Sequence, residues 1–276
     1  MDSDVLKKLQ KEQFDIAKKV TGICDKYNLQ YFLIGGTLLG AVRHGGFIPW
    51  DDDFDIGMPR KDYEQFLEIS QVELGNDYYL HAHETDKEYW LPFAKVRRNG
   101  TLFNEKSIMP ITTHKGIFID IFPFDNVISP GNKLLPVLSK IIGALSVLIY
   151  RKRGLDLGVK PNIKQKILLF FTKLMTIKKL AYFQRKLMTL YDNRKTEYWI
   201  NWGSYYGYKK EMMPKEKFLP LTKLSFDGAT FKVPKDHYFV LTQIFGDYMV
   251  PPPIEQRTGQ HAVEIAFNED DPKMNI

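Results

Sequence analysis

The run "DDDFD", Asp51 to Asp55, gathers four carboxylates within five positions, with Ile48 and Trp50 just before it and Ile56 and Met58 just after. Side chains of an extended strand alternate faces, so Asp53 and Asp55 project together while Phe54 and Ile56 turn the other way, into apolar packing. Two carboxylates held side by side repel, and each holds its proton more tightly unless a cation shares the site. A hard divalent ion resolves that conflict, and magnesium is commonly held by one or two carboxylates together with substrate phosphates. Strand parity puts Asp51 on the same face and Asp52 on the other. A solvated acidic turn is the plain alternative, but such a turn has no need of apolar residues in strand alternation. A calcium-binding loop would use Asp51, Asp53 and Asp55, yet its turn glycine and closing glutamate are here Ile56 and Asp62.

Phosphate chemistry also needs donors. In "IGGTLLG", Gly35 and Gly36 follow a strand and precede Thr37 at a helix start, where free backbone N–H groups can face an anion. The segment lacks the Lys and Ser/Thr of a Walker A loop and does not match GxGxxG. A third acid, Asp120, lies between Ile119 and Ile121 in "GIFIDIFPFD", where a charge is costly unless paired or coordinated. Asp125, past Pro123, reads as a structural residue in a turn. Arg43, His44, Lys95 and Arg97 are candidate phosphate partners, Lys95 and Arg97 on one strand face, with a surface cation as the alternative for each; Arg257 and His261 follow a triple proline and either close over the substrate or cap the domain. His81 and His83 share a face as zinc ligands do, but no cysteine or third histidine lies near them in sequence, so both read as structural.

The elements that must position these groups follow from periodicity. Apolar residues at helical spacing predict an opening helix over 4–27, a short buried strand over 30–34, a helix after Gly36, a strand over 53–58, and a helix in "RKDYEQFLEIS". Strands are expected at 78–83, 92–97 and 116–122, which makes an α/β (α+β) core of residues 1–128. Residues 129–200 form a basic amphipathic region with two long helices, "KLLPVLSKIIGALSVLIYRKR" and "KQKILLFFTKLMTIKKLAYFQRKLMTLY", joined by the loop "GLDLGVKPN". Residues 201–276 are a C-terminal region expected to complete the site.

The 276 residues suffice for a real core, and the net charge of +6 is spread along the chain, leaving nucleic acid and anionic membranes open as partners. A single cysteine, Cys24, excludes an internal disulfide framework and cysteine-rich zinc sites and suits a reducing compartment. The N-terminus lacks the apolar core of a secretory signal, and the apolar stretch from Leu134 to Tyr150 contains Pro136 and Lys140, so it reads as non-spanning. The expected location is cytoplasmic, peripheral on the inner face of the plasma membrane if the basic helices rest on an anionic leaflet.

Glycines after one strand, an acid-apolar-acid pattern on a second and one acid on a later strand resemble the nucleotidyltransferase superfamily. The longer stretch "GGTLLGAVRHGGFIPWDDDFDIGMPRKDYEQF" closely resembles the signature of the LicD family, bacterial phosphorylcholine transferases related in their core to fukutin-type ribitol-phosphate transferases. "KVRRNGT", "GIFIDIFPFD", "FKVPKDHY" and "FGDYMVPPP" are similar to family blocks in the same order; the middle helices are not covered. The resemblance implies a nucleotidyltransferase-like mixed sheet flanked by helices, with a helical insertion and a C-terminal extension. It implies that Asp53 and Asp55 bind magnesium, or manganese, bridging the diphosphate of CDP-choline, with Asp120 as third ligand or as base for the incoming hydroxyl. Gly35, Gly36, Thr37, Arg43, His44, Asp51, Asp52, Lys95, Arg97, Arg257 and His261 would bind substrate and its phosphates. The acceptor would be a sugar hydroxyl of a cell-surface glycan precursor of teichoic acid or lipopolysaccharide type, lipid-linked or soluble, with CMP released and no nucleic acid involved. Ribitol phosphate or another phospho-alcohol as the transferred group, nucleotidyl transfer, and a catalytically silent membrane adaptor are the rival readings.

Overall fold

The computed structural model describes residues 2–155, 157–257, 261–271 and 273. In chain order, helix α1 (Ser3–Lys26) leads into strand β1 (Phe32–Leu33), helix α2 (Gly35–Arg43), strand β2 (Asp55–Pro59) and helix α3 (Arg60–Glu73). Strands β3 (Tyr78–His81), β4 (Ala94–Arg98), β5 (Leu102–Glu105) and β6 (Phe118–Val127) come next, then helices α4 (Leu135–Arg153), α5 (Ile163–Phe171) and α6 (Ile177–Met188). The last part holds β7 (Tyr198–Ile200), the short α7 (Tyr208–Glu211), β8 (Met212–Pro214), the hairpin β9 (Thr222–Phe226) and β10 (Ala229–Val233), α8 (His237–Phe245) and β11 (Ala262–Ala266).

A seven-stranded mixed sheet is the centre of the molecule, in the order β1-β2-β6-β4-β3, with β7 on the far half of β6 and β8 beyond it. The β2–β6 pair is parallel and sets Asp55 opposite Asp120; the other pairings are antiparallel. The fold class is the mixed α/β arrangement that the alternation of periods indicates. The core is aromatic. Phe54 is fully buried and meets Phe47, Phe226 and Phe231 edge-on or tilted at 5.3–5.8 Å, which explains the apolar residue inside the acidic run: its burial stabilises by ~1.5–3 kcal/mol and fixes which face its neighbours present.

Helix α1 buries Leu9, Ile16, Val20, Ile23 and Cys24, and Gln13 shares that apolar stripe. Gln13 donates to the carbonyl of Asp52 at 2.7 Å, and Gln10 to those of Asp51 at 2.9 Å and Ile48 at 3.2 Å. The acidic segment cannot complete a ladder of its own there, so its backbone carbonyls are satisfied by side chains of the opening helix.

Several boundaries differ from the sequence reading. The ladder on β2 begins at Asp55, so Asp51 to Asp53 lead into the strand rather than lie in it. β6 runs on to Val127, which makes Asp125 a strand residue and not a turn residue. The second long basic helix is two: Thr172 caps the end of α5 with its hydroxyl on the Leu168 carbonyl at 2.7 Å, and Thr176 caps the start of α6. Threonines at both ends of "TKLMT" compete with helical hydrogen bonding, a signal that the surrounding apolar periodicity masks. β5 and β11 pair antiparallel, Leu102 with Ala266 and Glu105 with Ala262, tying the C-terminal region to the core. Pro136 sits in the first turn of α4, where its missing N–H costs nothing, and the helix ends at left-handed Gly154. No helix among the described residues is long and apolar enough to cross a membrane.

Candidate active site

The cavity that opens at the sheet's acidic end has a volume of about 490 Å³ and is lined by Asp51, Asp53, Asp55 and Asp120 together with Gly35, Gly36 and His261. The four acids are half-buried. Asp55 and Asp120 are register partners across the parallel pair, and the Asp120 amide donates to the Phe54 carbonyl at 2.9 Å. Asp52 faces the other way, as parity requires. It is fully buried, accepting from the backbone N–H of His261 at 2.6 Å and pairing with its ring Nδ1 at 2.8 Å.

The glycines allow the close approach. Gly35 has φ of +55°, and a Cβ on Gly36 would lie 2.6 Å from Asp51 Oδ2, so any side chain there must push the carboxylate aside. Thr37, buried one residue later, accepts the Asp55 amide on its hydroxyl at 2.8 Å and so ties the first turn of α2 to β2. The N-terminus of α2 thereby lies against the acids, its free N–H groups available to an anion.

The electrostatics are those of accumulated like charge. Burial first, and the Asp120 charge second, push the Asp53 carboxyl up to about 6. Asp55 and Asp51 stand well above the usual carboxylate range, again from burial first and then from neighbouring carboxylates, Asp53 foremost. Asp120 is raised by burial, against the pull of Lys95, whose Nζ contacts Asp120 Oδ1 at 2.7 Å. Across the site His261 is pushed up to about 9 by its hydrogen bond to Asp52, so it is an imidazolium at neutral pH.

Among the described residues no three acids or histidines are already drawn into a metal-ligand cluster. The donor set nevertheless fits a hard divalent ion: oxygen ligands that face one cavity and resist ionising together.

The remaining candidates divide. Arg43, His44 and Arg257 do not line the cavity themselves but lie near Trp50, which does, His44 and Arg257 touching its ring and Arg43 touching His44. Arg257 lies over the Trp50 ring at 4.7 Å and His44 stands edge-on to it at 6.1 Å. Arg43 donates to the Tyr248 carbonyl at 2.6 Å, and its affinity for a proton is lowered by burial and by the nearby Arg257 charge. Arg97 turns inward instead: fully buried, it donates to His81 Nδ1 at 2.9 Å and to the Gly116 carbonyl at 2.9 Å. His81 also contacts Asp86, and burial beside Arg97 pushes it down to about 2, a neutral structural ring.

Sequence reasoning missed Gln10 and Gln13, although two glutamines along a helix's apolar stripe are a signal of buried polar contacts. It also missed Glu211, Asn201, Ser204 and Tyr206, which line the cavity as well. Glu211 lies in "YKKEMMP", where one acid after two lysines has the look of a solvated surface.

A mixed sheet that presents carboxylates from adjacent parallel strands beside a glycine-led helix start is an arrangement suited to phosphate chemistry. The family model described as LicD/FKTN/FKRP, nucleotidyltransferase domain, matches residues 28–133. The chain is 34% identical over 255 residues, 88% of its length and 90% of the relative's, to the lipopolysaccharide cholinephosphotransferase LicD of Haemophilus influenzae. A segment of 62 residues, 22% of the chain, is 39% identical to 13% of the ribitol 5-phosphate transferase FKRP of Mus musculus. The chain belongs to the LicD family and is a phosphotransferase.

Proposed function

We propose that the protein transfers phosphocholine from CDP-choline to a sugar hydroxyl of a cell-surface glycan precursor, releasing CMP, with magnesium or manganese held by Asp53, Asp55 and Asp120. The observation that carries this reading is the convergence of these acids on one cavity beside the α2 N-terminus. Bound there, a divalent ion would offset the charge that develops on the departing CMP.

The chain's own residues supply the rest. The N–H groups of α2 and the cations Arg43 and Arg257 orient the diphosphate, and holding donor and acceptor together contributes through proximity. Asp120, kept in place by Lys95 at 2.7 Å, completes the ligand set; with the ion held by Asp53 and Asp55 alone, the same carboxylate is the one placed to take the proton of an incoming hydroxyl. Purified protein with CDP-choline and magnesium is expected to release CMP on addition of a glycan acceptor, and chelation is expected to stop it. Incorporation of labelled CMP or AMP into an acceptor would replace this reading with nucleotidyl transfer, and CMP release from CDP-ribitol alone would replace the donor.

A peripheral membrane position is part of the proposal. In α5 no residue is buried, and Ile163, Ile167, Phe170 and Phe171 are exposed at helical spacing with Lys164 and Lys166 between them. That face suits an anionic bilayer, where apolar side chains enter the interface and lysines meet headgroups. The protein should sediment with phosphatidylglycerol vesicles, and Phe170→Ser with Phe171→Ser should cut the bound fraction several-fold. Equal binding by the variant, or by purely zwitterionic vesicles, would remove the bilayer contact.

A further inference from the structure

The cavity that the four acids line also holds a carboxylate that the chemistry above does not use. Glu211 ends α7 and is only 5% exposed, yet no lysine, arginine or histidine forms an ion pair with it among the described residues. A buried carboxylate with no counter-ion is costly, and burial pushes Glu211 up to about 7, with the Ser204 hydroxyl partly offsetting the effect. Its neighbour Lys210 does not serve it, being tied to the Ile244 carbonyl at 2.7 Å.

Glu211 is held rigidly. Gln243 on α8 donates to the carbonyls on either side of it, that of Lys210 at 2.7 Å and that of Met212 at 2.9 Å. Aromatic rings line the same cavity: Tyr206 packs edge-on to Phe245 at 5.4 Å and against Tyr205 at 4.3 Å. Tyr206 feels the charges of both Asp55 and Glu211, and all three residues line the same cavity.

An unpaired acid flanked by aromatic faces is a receptor for a large, weakly hydrated cation. We infer that Glu211, with Tyr206 and Phe245, forms the subsite for the quaternary ammonium of the transferred group, so that the donor's phospho-alcohol is cationic and not a neutral polyol. Two carbons separate that nitrogen from the phosphate oxygen in phosphocholine, so the ammonium must be received inside the cavity that holds the phosphate, and Glu211 and Asp55 line the same cavity. The inference rests on the donor reading above and adds to it the residues that choose the donor.

The test uses the full chain with magnesium and compares CDP-choline, CDP-ribitol and CDP. The wild-type protein is expected to show a KM for CDP-choline about tenfold or more below that for CDP-ribitol. Glu211→Gln should raise the CDP-choline KM about tenfold with a smaller change in kcat, abolish the preference, and leave the Kd for CDP within about twofold. Tetramethylammonium should compete with CDP-choline in the wild type and lose that effect in Glu211→Gln. Should Glu211→Gln fail to fold, Tyr206→Leu and the wild-type competition carry the same comparison. Wild-type turnover of CDP-choline with an unchanged KM in Glu211→Gln, or an equal loss of CDP binding, would overturn the subsite and leave the donor reading intact. Turnover of CDP-ribitol but not CDP-choline by the wild type would overturn both.

Discussion

Replacing Asp53 with Asn is expected to abolish transfer and, in the same protein, to raise the melting temperature measured without metal. Asp53 is one of four acids on a single cavity, and its carboxyl is pushed up to about 6 by burial and by Asp120. A group whose folded pKa lies above its unfolded value contributes stability below the unfolded pKa and loses it as pH rises through the folded one. For Asp53 that window runs from the ordinary 3.8 to about 6; above it the metal-free wild type carries a strained charge that Asn lacks. Every tenfold gain in proton affinity on folding corresponds to ~1.4 kcal/mol, so at pH 7.5 the variant should melt a few degrees higher in chelator. With magnesium the order should reverse, because the ion stabilises only the protein that binds it. The gain in wild-type melting temperature on adding magnesium should therefore grow between about pH 4 and pH 6 and be largely absent in Asp53→Asn. Loss of a metal-holding carboxylate removes several kcal/mol of transition-state stabilisation, a fall in transfer of about 10³-fold. A lower metal-free melting temperature at pH 7.5, or more than a tenth of wild-type turnover, would refute the role assigned to Asp53.

What could be read in advance follows from how local each signal is. The alternation in "DDDFDIGM" is a contact-free statement about faces, and the structure keeps it: Asp51, Asp53 and Asp55 face the cavity, while Asp52, Phe54 and Ile56 do not. That holds although only Asp55 belongs to the strand ladder, because the extended backbone before β2 preserves the parity. Asp120 was legible because a charge inside "IFIDIF" has no inexpensive explanation. The partners of these groups were not legible, since Gln13 meets Asp52 across 39 positions and His261 meets it across 209. Arg97 shows the opposite failure. Placed two residues from Lys95 on the same strand, it shared every local signal with a phosphate ligand, and only the burial of β4 between β3 and β6 turns its guanidinium toward His81. Glu211 was hidden for a related reason: its burial comes from α8 packing over α7, not from its neighbours in sequence.

The register that sets Asp55 opposite Asp120 is anchored at the other end of the same two strands, and that anchor gives the largest expected effect on stability. β2 ends at Pro59, beside Phe124, and the next residue, Arg60, forms a two-pronged pair with Asp125 of β6, Nε to Oδ1 at 2.6 Å and Nη2 to Oδ2 at 3.0 Å. Asp125 is fully buried, and its charge raises the proton affinity of Arg60. Arg60 also touches Glu64 at 3.2 Å, and Glu64 in turn pairs with Arg185 on α6, so the pair links the sheet to the helical region. Removing one partner of such a pair strands a buried charge and costs ~3–5 kcal/mol, whereas replacing both with apolar groups of similar volume is often neutral. Arg60→Leu should therefore lower the melting temperature by about 10 °C in a chain of this size, and Asp125→Leu on its own should also be destabilising. The double variant Arg60→Met, Asp125→Leu should recover most of the loss, since no charge is then left unpaired. Because the carboxylates Asp55 and Asp120 lie at the opposite end of the β2–β6 ladder, CMP release by the double variant should stay near that of the wild type. A single-variant cost below ~1 kcal/mol, or a double variant no more stable than Arg60→Leu, would show that the charges are solvated and that the register is held by the aromatic core alone.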